Sequence, residues 1–444
     1  MTTTLAARTR RTTAAGWGLV VAAGLVALAV LVPAATGWDV AVQGLQPLAA
    51  RWDPRVGWGT LPAVVLAVLL SWRAVDLAER LPWNRLLLGT FSAGLAWLLA
   101  LAFVDGPAGV GRILDTTHEY LRTARATTDL HATLREYVSR ISFSAAPHNW
   151  PVHVAGHPPG ALTFFVALTR VGLGSGFAAG MVVSVVAATT AVAVLVTVRT
   201  LGAELLARRA APFLAFGTAA VWQAVSADAM FAATGAWATA CLSLAATRRS
   251  VAWSVAAGLL YGYCVMMSYG LPLLGVLAVA VLVAARSWFP LLPAALAALA
   301  VVVGFGLLGF SYLDALPQIH TRYYAGIGGR RPWAYWTWAN FAAFALGAGP
   351  LAFAGLGHLA GAAREHLRDP ASRVVVWLAG AGVAMALAAD LSQLSRAEVE
   401  RIWLPFAPWL LLSCALLPER WRRRGLVLQL VPALVIQHLL FTGW

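Results

Sequence analysis

The chain contains no lysine, so all 32 of its basic residues are arginine. Charged residues of both signs make up only 11% of the 444 residues, against about 25% in ordinary soluble domains. Hydrophobic residues make up 60% of the chain, and the mean hydropathy is +0.75. This composition excludes an ordinary soluble fold.

Cysteine is also scarce, and its three copies lie inside apolar runs at Cys241, Cys264 and Cys414. Their spacing supports neither a metal site nor a disulfide framework. The sequence has no P-loop and no glycine fingerprint of a dinucleotide-binding fold. The net charge of +14 suggests nucleic acid, but short arginine clusters between apolar runs are typical of cytoplasmic membrane anchors. We therefore expect membrane lipid, and no nucleic acid, among the partners.

Long apolar runs recur along the whole chain. A spanning helix needs ~20 mostly apolar residues, and only helices or closed barrels satisfy the backbone inside a bilayer. The runs predict an all-α, polytopic membrane protein with a single integral membrane domain. The thirteen predicted helices lie at about 15–36, 59–77, 86–104, 175–199, 210–226, 230–247, 251–267, 269–286, 289–311, 339–360, 372–390, 402–417 and 426–443.

The arginine clusters predict the orientation. Arg8, Arg10 and Arg11 precede the first run, which at ~20 residues is longer than the 7–15 of a signal peptide and is expected to be retained. By the positive-inside rule, the N-terminus lies in the cytoplasm of a plasma-membrane protein. Segments 105–174, 313–338 and 391–401 then lie outside.

The first part of segment 105–174 is rich in polar residues, unlike the apolar runs on either side of it. Between residues 105 and 159 lie five of the nine histidines and five carboxylates, which suggests an active site facing the outside. The pattern from Thr116 to Ile141 predicts one or two amphipathic helices on the membrane surface. Residues 158–173 are too short to span comfortably, so we expect a juxtamembrane helix started by Pro158 and Pro159.

Glu119 is the best candidate for a catalytic base in this segment. A carboxylate beside a bilayer is partly desolvated, so we expect its pKa to rise into a useful range. Asp115 is a second carboxylate candidate. Asp115 and His118 would orient Glu119 or bind a metal, and His118 is also a candidate for substrate binding. Alternatively, Glu119 pairs with Arg122 or caps a helix.

Three histidines follow at His148, His153 and His157. Their spacings of five and four are conceivable for zinc but not diagnostic. Ligand contact or helix capping by His157 is the interpretation that we favour. The sequence requires no metal or other cofactor, although a divalent cation such as Mg²⁺ or Mn²⁺ at Asp228 is compatible with it.

Further charges stand at the ends of later apolar runs. Asp228 is either a solvent-exposed turn residue or a functional carboxylate, because charge between apolar spans is costly. Arg401 is either a snorkelling helix end or a phosphate ligand. Arginine and tyrosine also alternate in 313–338, as an aromatic belt or as a site for an anionic lipid headgroup. The candidate residues in that segment are Arg322, Tyr323, Arg330 and Arg331.

Together these residues resemble the GT-C superfamily of integral membrane glycosyltransferases, and most closely its actinobacterial, protein O-mannosyltransferase-like and aminoarabinose-transferase-like members. The resemblance covers roughly residues 86–418, after two preceding helices and before a C-terminal one. It rests on four motifs in order, with Arg199 between the second and the third. The motifs are His118-Glu119-Tyr120, His157-Pro158-Pro159-Gly160, Ala227-Asp228-Ala229-Met230 and Arg401-Ile402-Trp403-Leu404-Pro405.

The resemblance implies an inverting glycosyltransferase that moves a hexose or pentose, mannose or arabinose among them, from a polyprenyl-phosphate donor. The acceptor would be a glycan, lipid or protein of the cell envelope. Glu119 would be catalytic, with Tyr120, His157, Asp228 and the arginines binding substrate.

Two departures from the family pattern keep alternatives open. His118 replaces the usual aspartate of an acidic pair, and two helices precede the presumed first family helix, so Asp39 and Asp53 are alternative site residues. The rival functions are a transporter or flippase of lipid-linked sugars, a His-dependent acyltransferase or ligase, and a scaffold without activity. A transporter is disfavoured because we find no internal repeat and no sign of broken midplane helices.

Overall fold

The computed structural model describes residues 2–443, and for residues 2–12 the backbone only. The side chains of Arg8, Arg10 and Arg11, which precede the first predicted helix, therefore lie outside the described part of the structure. The protein is 77% helical, which confirms the all-α class. A two-residue antiparallel ladder joins Arg51–Trp52 to Leu440–Phe441.

The longer helices carry most of the apolar runs. Those of ten residues or more are Thr2–Thr36, Thr60–Arg80, Trp83–Ala102, Gly160–Arg170, Gly176–Thr200, Glu204–Ala215, Ala227–Arg248, Val251–Met267, Leu274–Ala285, Leu291–Leu307, Tyr312–Ala325, Trp333–Ala348, Pro350–Gly361, Pro370–Leu391 and Glu419–Leu439.

Short helices fill the connections between them. The short α-helices are Gly106–Gly111, Tyr120–Ala126, Leu130–Arg135, Val152–Gly156, Ala220–Gln223, Ile327–Arg330, Ala363–Arg368, Val399–Ile402 and Ala407–Leu411. Single 3₁₀ turns lie at Phe103–Asp105, Ile113–Asp115, Val138–Arg140, Phe143–Ala145, Leu271–Leu273 and Leu412–Leu416.

Six helices among the described residues are long and apolar enough to cross a membrane, or up to eight if each of two bent helix pairs is one span. The protein is therefore membrane-embedded, but the predicted count of thirteen spans is not confirmed. The six are Thr13–Thr36, Thr60–Arg80, Trp83–Asp115, Gly176–Thr200, Ala227–Arg248 and Pro370–Leu391.

Two of the predicted spans are divided into shorter helices in the structure. The run at 210–226 divides into Glu204–Ala215, which contains Pro212, and the short helix Ala220–Gln223. The run at 402–417 divides into Ala407–Leu411, with a proline in its first turn, and a 3₁₀ turn at Leu412–Leu416. Proline lacks the N–H that continues a helix, so an apolar run that contains it need not form one straight span.

Small residues let the central helices approach closely. Ala227–Arg248 packs against both Gly176–Thr200 and Val251–Met267. Gly258 lies so close to the next helix that an added Cβ would stand 2.2 Å from the carbonyl oxygen of Ala294. Close backbone contact of this kind is typical of helices packed within a membrane.

Segment 105–174 folds back onto this helical core. Two short helices, Tyr120–Ala126 and Leu130–Arg135, lie where the sequence predicts amphipathic helices. Gly160–Arg170 begins directly after Pro158 and Pro159, as predicted. An added Cβ on Gly160 would stand 2.4 Å from the carbonyl oxygen of Met266, so glycine is required at this contact.

Candidate functional site

Glu119 is buried in the protein, with only 2% of its surface exposed. It stands at the start of Tyr120–Ala126, but its carboxylate does not cap that helix. Its Oε1 atom lies 3.1 Å from Nδ1 of His153. Its Oε2 atom is buried and has no hydrogen-bond partner among the described residues. Glu119 thus has one oxygen engaged and one available to a ligand.

His153 reaches Glu119 because two separate segments are tied together. Its backbone N–H donates to the carbonyl of His118, at 3.1 Å. Nearby, the Tyr137 hydroxyl donates to the carbonyl of Val154, at 2.7 Å, and the Trp150 indole N–H donates to the carbonyl of Tyr137, at 2.8 Å. These bonds hold the helix Val152–Gly156 against the segment that carries Glu119.

Aromatic rings pack around Tyr120, the residue next to Glu119. The Tyr120 ring stacks on Phe165, with centroids 5.4 Å apart and planes at 9°. The His157 ring lies 6.2 Å from Tyr120 and 5.6 Å from Phe231. The Tyr120 hydroxyl and Nδ1 of His157 are both buried without a hydrogen-bond partner in the part of the chain that the structure describes. Buried polar atoms normally have partners, so these atoms mark a place where a polar ligand would be favoured.

Asp228 and Arg401 form a buried ion pair that interacts electrostatically with Glu119 and His157. The Asp228 Oδ2 atom lies 2.5 Å from an amino nitrogen of Arg401, and both side chains are almost fully buried. Ser226 caps the helix Ala227–Arg248 by accepting a hydrogen bond from Ala229 N–H, at 3.3 Å. Asp228 lies in the first turn, where the helix dipole favours a negative charge.

Glu398 joins Arg401 to a second arginine. It accepts hydrogen bonds from Arg331, at 2.7 Å, and from Arg401, at 3.3 Å. Its φ of +62° follows a φ of +68° at Ala397, so two consecutive non-glycine residues are left-handed. The N–H of Ala397 donates to the side-chain oxygen of Asn340, at 3.0 Å, which helps to hold this conformation. Such strain persists where the surroundings fix it and concentrates at functional sites.

Electrostatics link these groups into one cluster. Burial raises the pKa of Glu119, but His153, with its charge and hydrogen bond, and then Arg401 and His157 outweigh burial and leave the pKa below its usual value. The expected rise in the pKa of Glu119 is therefore wrong, and the carboxylate is ionised at neutral pH. Burial lowers the pKa of His157 to about 4, so His157 is neutral there.

Glu400 is a second buried acid with the opposite behaviour. Burial, and to a lesser extent the charge of Glu398, raises the pKa of Glu400 to about 8. Its Oε2 atom is also buried without a partner among the described residues. Glu400 is therefore mostly protonated at neutral pH, and it adds no full negative charge to the cluster.

Several predicted site residues lie together, and others do not. Glu119, Tyr120, His157, Asp228 and Arg401 form the cluster, and Arg331 joins it through Glu398. The catalytic and substrate-binding roles assigned to these residues from the sequence stay predictions.

Asp115 and His118 contribute little to this cluster. The Asp115 carboxylate forms an ion pair with Arg125, and the side chain of Arg122 also bonds the Asp115 backbone carbonyl. The His118 side chain is exposed, and its backbone carbonyl is the part that meets His153. The alternative pairing of Glu119 with Arg122 is not formed, because Arg122 is turned to Asp115.

The predicted site residues of segment 313–338 differ in their contacts and exposure. Arg322 is buried and donates to the carbonyls of Ile141 and Trp150, the latter at 2.9 Å, so it fixes the outer segment. The Tyr323 hydroxyl accepts from the N–H of Arg396, at 2.9 Å. Arg330 is exposed. Substrate binding by these three residues has no direct geometric support.

The alternative pair Asp39 and Asp53 lies in the first connecting segment. Asp39 accepts a hydrogen bond from Ala41 N–H, at 2.8 Å, as in a local turn. Asp53 lies 3.7 Å from Arg55 and is exposed. Neither carboxylate has the burial that distinguishes Glu119.

The described residues do not fit a metal ion well. No group of three or more His, Cys, Asp or Glu side chains in residues 13–443 is arranged to hold a metal. The Asp228 carboxylate already faces Arg401, whose positive charge would repel a cation. We therefore derive no step through a divalent ion.

Sequence reasoning missed the roles of His153, Glu398 and Glu400. His153 was considered only as one of three histidines with metal-like spacing. The signal that identifies Glu398 and Glu400 is two acids beside Arg401 at the start of an apolar run, where unpaired charge is costly.

Comparison with known proteins does not assign the chain to a family. No protein-family model matches the chain, and no curated protein matches it significantly.

Proposed function

We propose that the protein is a membrane glycosyltransferase that moves a sugar from a polyprenyl-phosphate donor to the hydroxyl of a cell-envelope acceptor. The observation that carries the proposal is the buried carboxylate of Glu119. One of its oxygens is held by His153, and the other has no partner in the described chain. An ionised, oriented carboxylate with an available oxygen suits proton removal from a hydroxyl.

The proposed reaction is a single displacement at the anomeric carbon. The acceptor hydroxyl gives its proton to Glu119 while its oxygen forms a bond to the anomeric carbon. The bond from that carbon to the phosphate oxygen breaks, and the electron pair stays on the phosphate. Attack opposite the leaving group inverts the configuration, as in other inverting transfers that use a carboxylate base.

Arg401 supplies the positive charge near the leaving group in this proposal. Its guanidinium is held by Asp228 and Glu398, so its position is fixed before substrate binds. Preorganised charge stabilises a developing anion without reorganisation. The cluster has three carboxylates, on Glu119, Asp228 and Glu398, against two guanidinium groups. This count leaves one net negative charge, so Arg401 acts as a single oriented positive charge next to the leaving group and not as part of a cationic patch.

One observation favours the transporter instead. In two places, a pair of consecutive helices is long and apolar enough to cross a membrane only if the two helices are counted as one span. These pairs bend by 78° and 107° at the short breaks between their helices. The sequence argument against broken helices is therefore wrong, and transporters commonly use such breaks. The sharper bend lies at Gly349, whose φ is +89°, directly before Pro350. A transporter of lipid-linked sugars remains the second candidate function.

A reconstitution assay separates the two functions. The purified protein is placed in vesicles with a panel of radiolabelled polyprenyl-phosphate sugars and an extract of envelope glycans. The proposal predicts that one donor loses its label to an acceptor and releases polyprenyl phosphate. Stabilisation of the protein by the same donor, measured as a shift in its melting temperature, supports donor binding.

The contrary result is equally specific. Movement of an intact donor between the two leaflets, without release of polyprenyl phosphate, would establish a transporter and overturn the proposal. Acyl transfer to the same acceptors, lost on replacing His153 or His157 but retained in Glu119→Gln, would overturn it in favour of a His-dependent transferase.

A further inference from the structure

Three arginine side chains surround the ring of Phe441, near the C-terminal end of the described chain. The guanidinium carbon of Arg51 lies 5.0 Å from the ring centroid. Those of Arg55 and Arg112 each lie 5.9 Å from it. One ring thus brings together arginines from two distant parts of the sequence, the segment before Thr60–Arg80 and the segment after Trp83–Ala102.

Backbone hydrogen bonds fix this arrangement. Arg51–Trp52 and Leu440–Phe441 form the antiparallel ladder. Next to the ladder, the N–H of Arg55 donates to the carbonyl of His438, at 2.8 Å. The arginines therefore converge on a rigid frame and do not meet only through flexible side chains.

The charges within this cluster do not cancel. Asp105 lies 2.7 Å from Nε of Arg55, and Asp53 lies 3.7 Å from an amino nitrogen of the same residue. Three arginines and two carboxylates leave one positive charge among the described residues. Because both carboxylates pair with Arg55, the surplus falls on Arg51 and Arg112, which are both exposed.

An exposed apolar ridge adjoins these two arginines. Trp52 is 66% exposed, Val56 84% and Trp58 75%. The helix that follows, Thr60–Arg80, is a candidate span, and most of its apolar stretch is exposed. A span exposed in this way faces lipid, so its N-terminal end lies at the depth of the headgroups. Tryptophan is enriched at that depth.

We propose that Arg51 and Arg112 bind the phosphate of a membrane lipid whose acyl chains lie along Trp52, Trp58 and Thr60–Arg80. Guanidinium groups match phosphate oxygens in pairs. Both guanidinium groups lie within 5.9 Å of the centroid of the Phe441 ring, at the distance of a cation–π contact. The ligand class is a phosphate-bearing lipid, either an anionic phospholipid or a polyprenyl phosphate. This site does not depend on the proposed glycosyltransferase activity.

Lipid retention measured by native mass spectrometry tests this site. The full-length protein is released from nanodiscs of phosphatidylcholine that contain graded amounts of phosphatidylglycerol or polyprenyl monophosphate. The double variant Arg51→Gln/Arg112→Gln should retain phosphate lipid about 25-fold more weakly than the wild type, since each basic residue near an anionic surface contributes ~1 kcal/mol, or about fivefold.

The matched control is the double variant Arg248→Gln/Arg249→Gln. It removes the same charge at another loop, where Arg249 also lies over a phenylalanine ring, at 5.3 Å. Preference for phosphatidylglycerol supports a phospholipid site, and preference for the polyprenyl lipid supports a site for that lipid. Equal loss of binding in the control, or unchanged binding in the Arg51/Arg112 variant, would contradict the proposal. Competition by inorganic phosphate as strong as that by either lipid would contradict the lipid assignment.

The single variants Arg51→Gln and Arg112→Gln guard against misfolding of the double variant. Each should retain the wild-type melting temperature in detergent and weaken lipid retention by roughly fivefold. Wild-type retention in both, with normal melting, would also overturn the proposal.

Discussion

Nδ1 of His153 lies 3.1 Å from Oε1 of Glu119, and the two residues are 34 positions apart in the sequence. The contact orients a buried carboxylate and supplies the largest influence that lowers its pKa against the effect of burial. A carboxylate that stays ionised in a buried setting is a stronger candidate for catalysis than one that is merely near a membrane.

Replacing His153 by phenylalanine should move the acid limb of the pH–rate profile of sugar transfer to higher pH. The reason is that burial then raises the pKa of Glu119 with less opposition from charge and hydrogen bonding. The measurement is kcat/KM for transfer between about pH 4 and pH 8. The exposed His131, replaced by phenylalanine, is the control and should leave the profile unchanged. An acid limb that does not move would mean that His153 does not control this carboxylate.

The Asp228–Arg401 ion pair predicts strong coupling between two distant segments. Removing either partner leaves a buried charge without its main partner, at a cost of about 3–5 kcal/mol. Asp228→Asn and Arg401→Gln should therefore each lower the melting temperature in detergent. The double variant should lose less than the sum of the two single losses. Additive losses would show that the pair is not coupled.

We expect Arg322 to stabilise segment 105–174. Its two hydrogen bonds to the carbonyls of Ile141 and Trp150 are lost in Arg322→Ala, which leaves buried acceptors at about 1–3 kcal/mol each. Chymotrypsin should then cut between residues 137 and 157 faster than in the wild type. Arg330→Ala is the matched control, because Arg330 is exposed nearby. Equal cleavage rates in the two variants would contradict the assignment.

We expect His157 to make the folded protein less stable in acid. Its pKa is about 4 in the folded protein, below the usual 6.5. Between these values the unfolded chain binds the proton and the folded chain does not, so stability falls as the pH drops from 6.5 to 4, by up to roughly 3 kcal/mol. His157→Phe should reduce this dependence, measured as the melting temperature against pH. A slope equal to that of the wild type would show that His157 does not titrate in this way.

The helical class and a large part of the site follow from sequence patterns. Apolar runs predict the class directly, and the order of the motifs places Glu119, Asp228 and Arg401 in one group that the fold does bring together. Helix beginnings after proline, as at Gly160, are also readable because proline suits the first turn. The number of spans cannot be predicted in this way, because the runs at 210–226 and 402–417 divide into shorter helices although their hydropathy alone is that of a continuous helix.

The remaining parts of the site depend on tertiary contacts. No local pattern identifies the contact of His153 with Glu119, because it arises when one segment hydrogen-bonds to the backbone of another. The lowered pKa of Glu119 has the same origin, since burial alone predicts the opposite direction. Arg322 shows the converse case: an arginine with a sequence typical of a headgroup site is used to fix a neighbouring segment.

The most direct test of the proposed function compares two carboxylates four residues apart. Glu119→Gln removes the buried base but keeps the shape of the side chain, and Asp115→Asn removes a carboxylate that is paired with Arg125 away from the cluster. Both variants are measured for transfer from the active polyprenyl-phosphate sugar, with donor binding and melting temperature as checks on folding. We predict that Glu119→Gln binds the donor but loses transfer by about 100-fold or more, whereas Asp115→Asn stays within a few-fold of the wild type. Retained transfer in a folded Glu119→Gln protein would contradict the central claim.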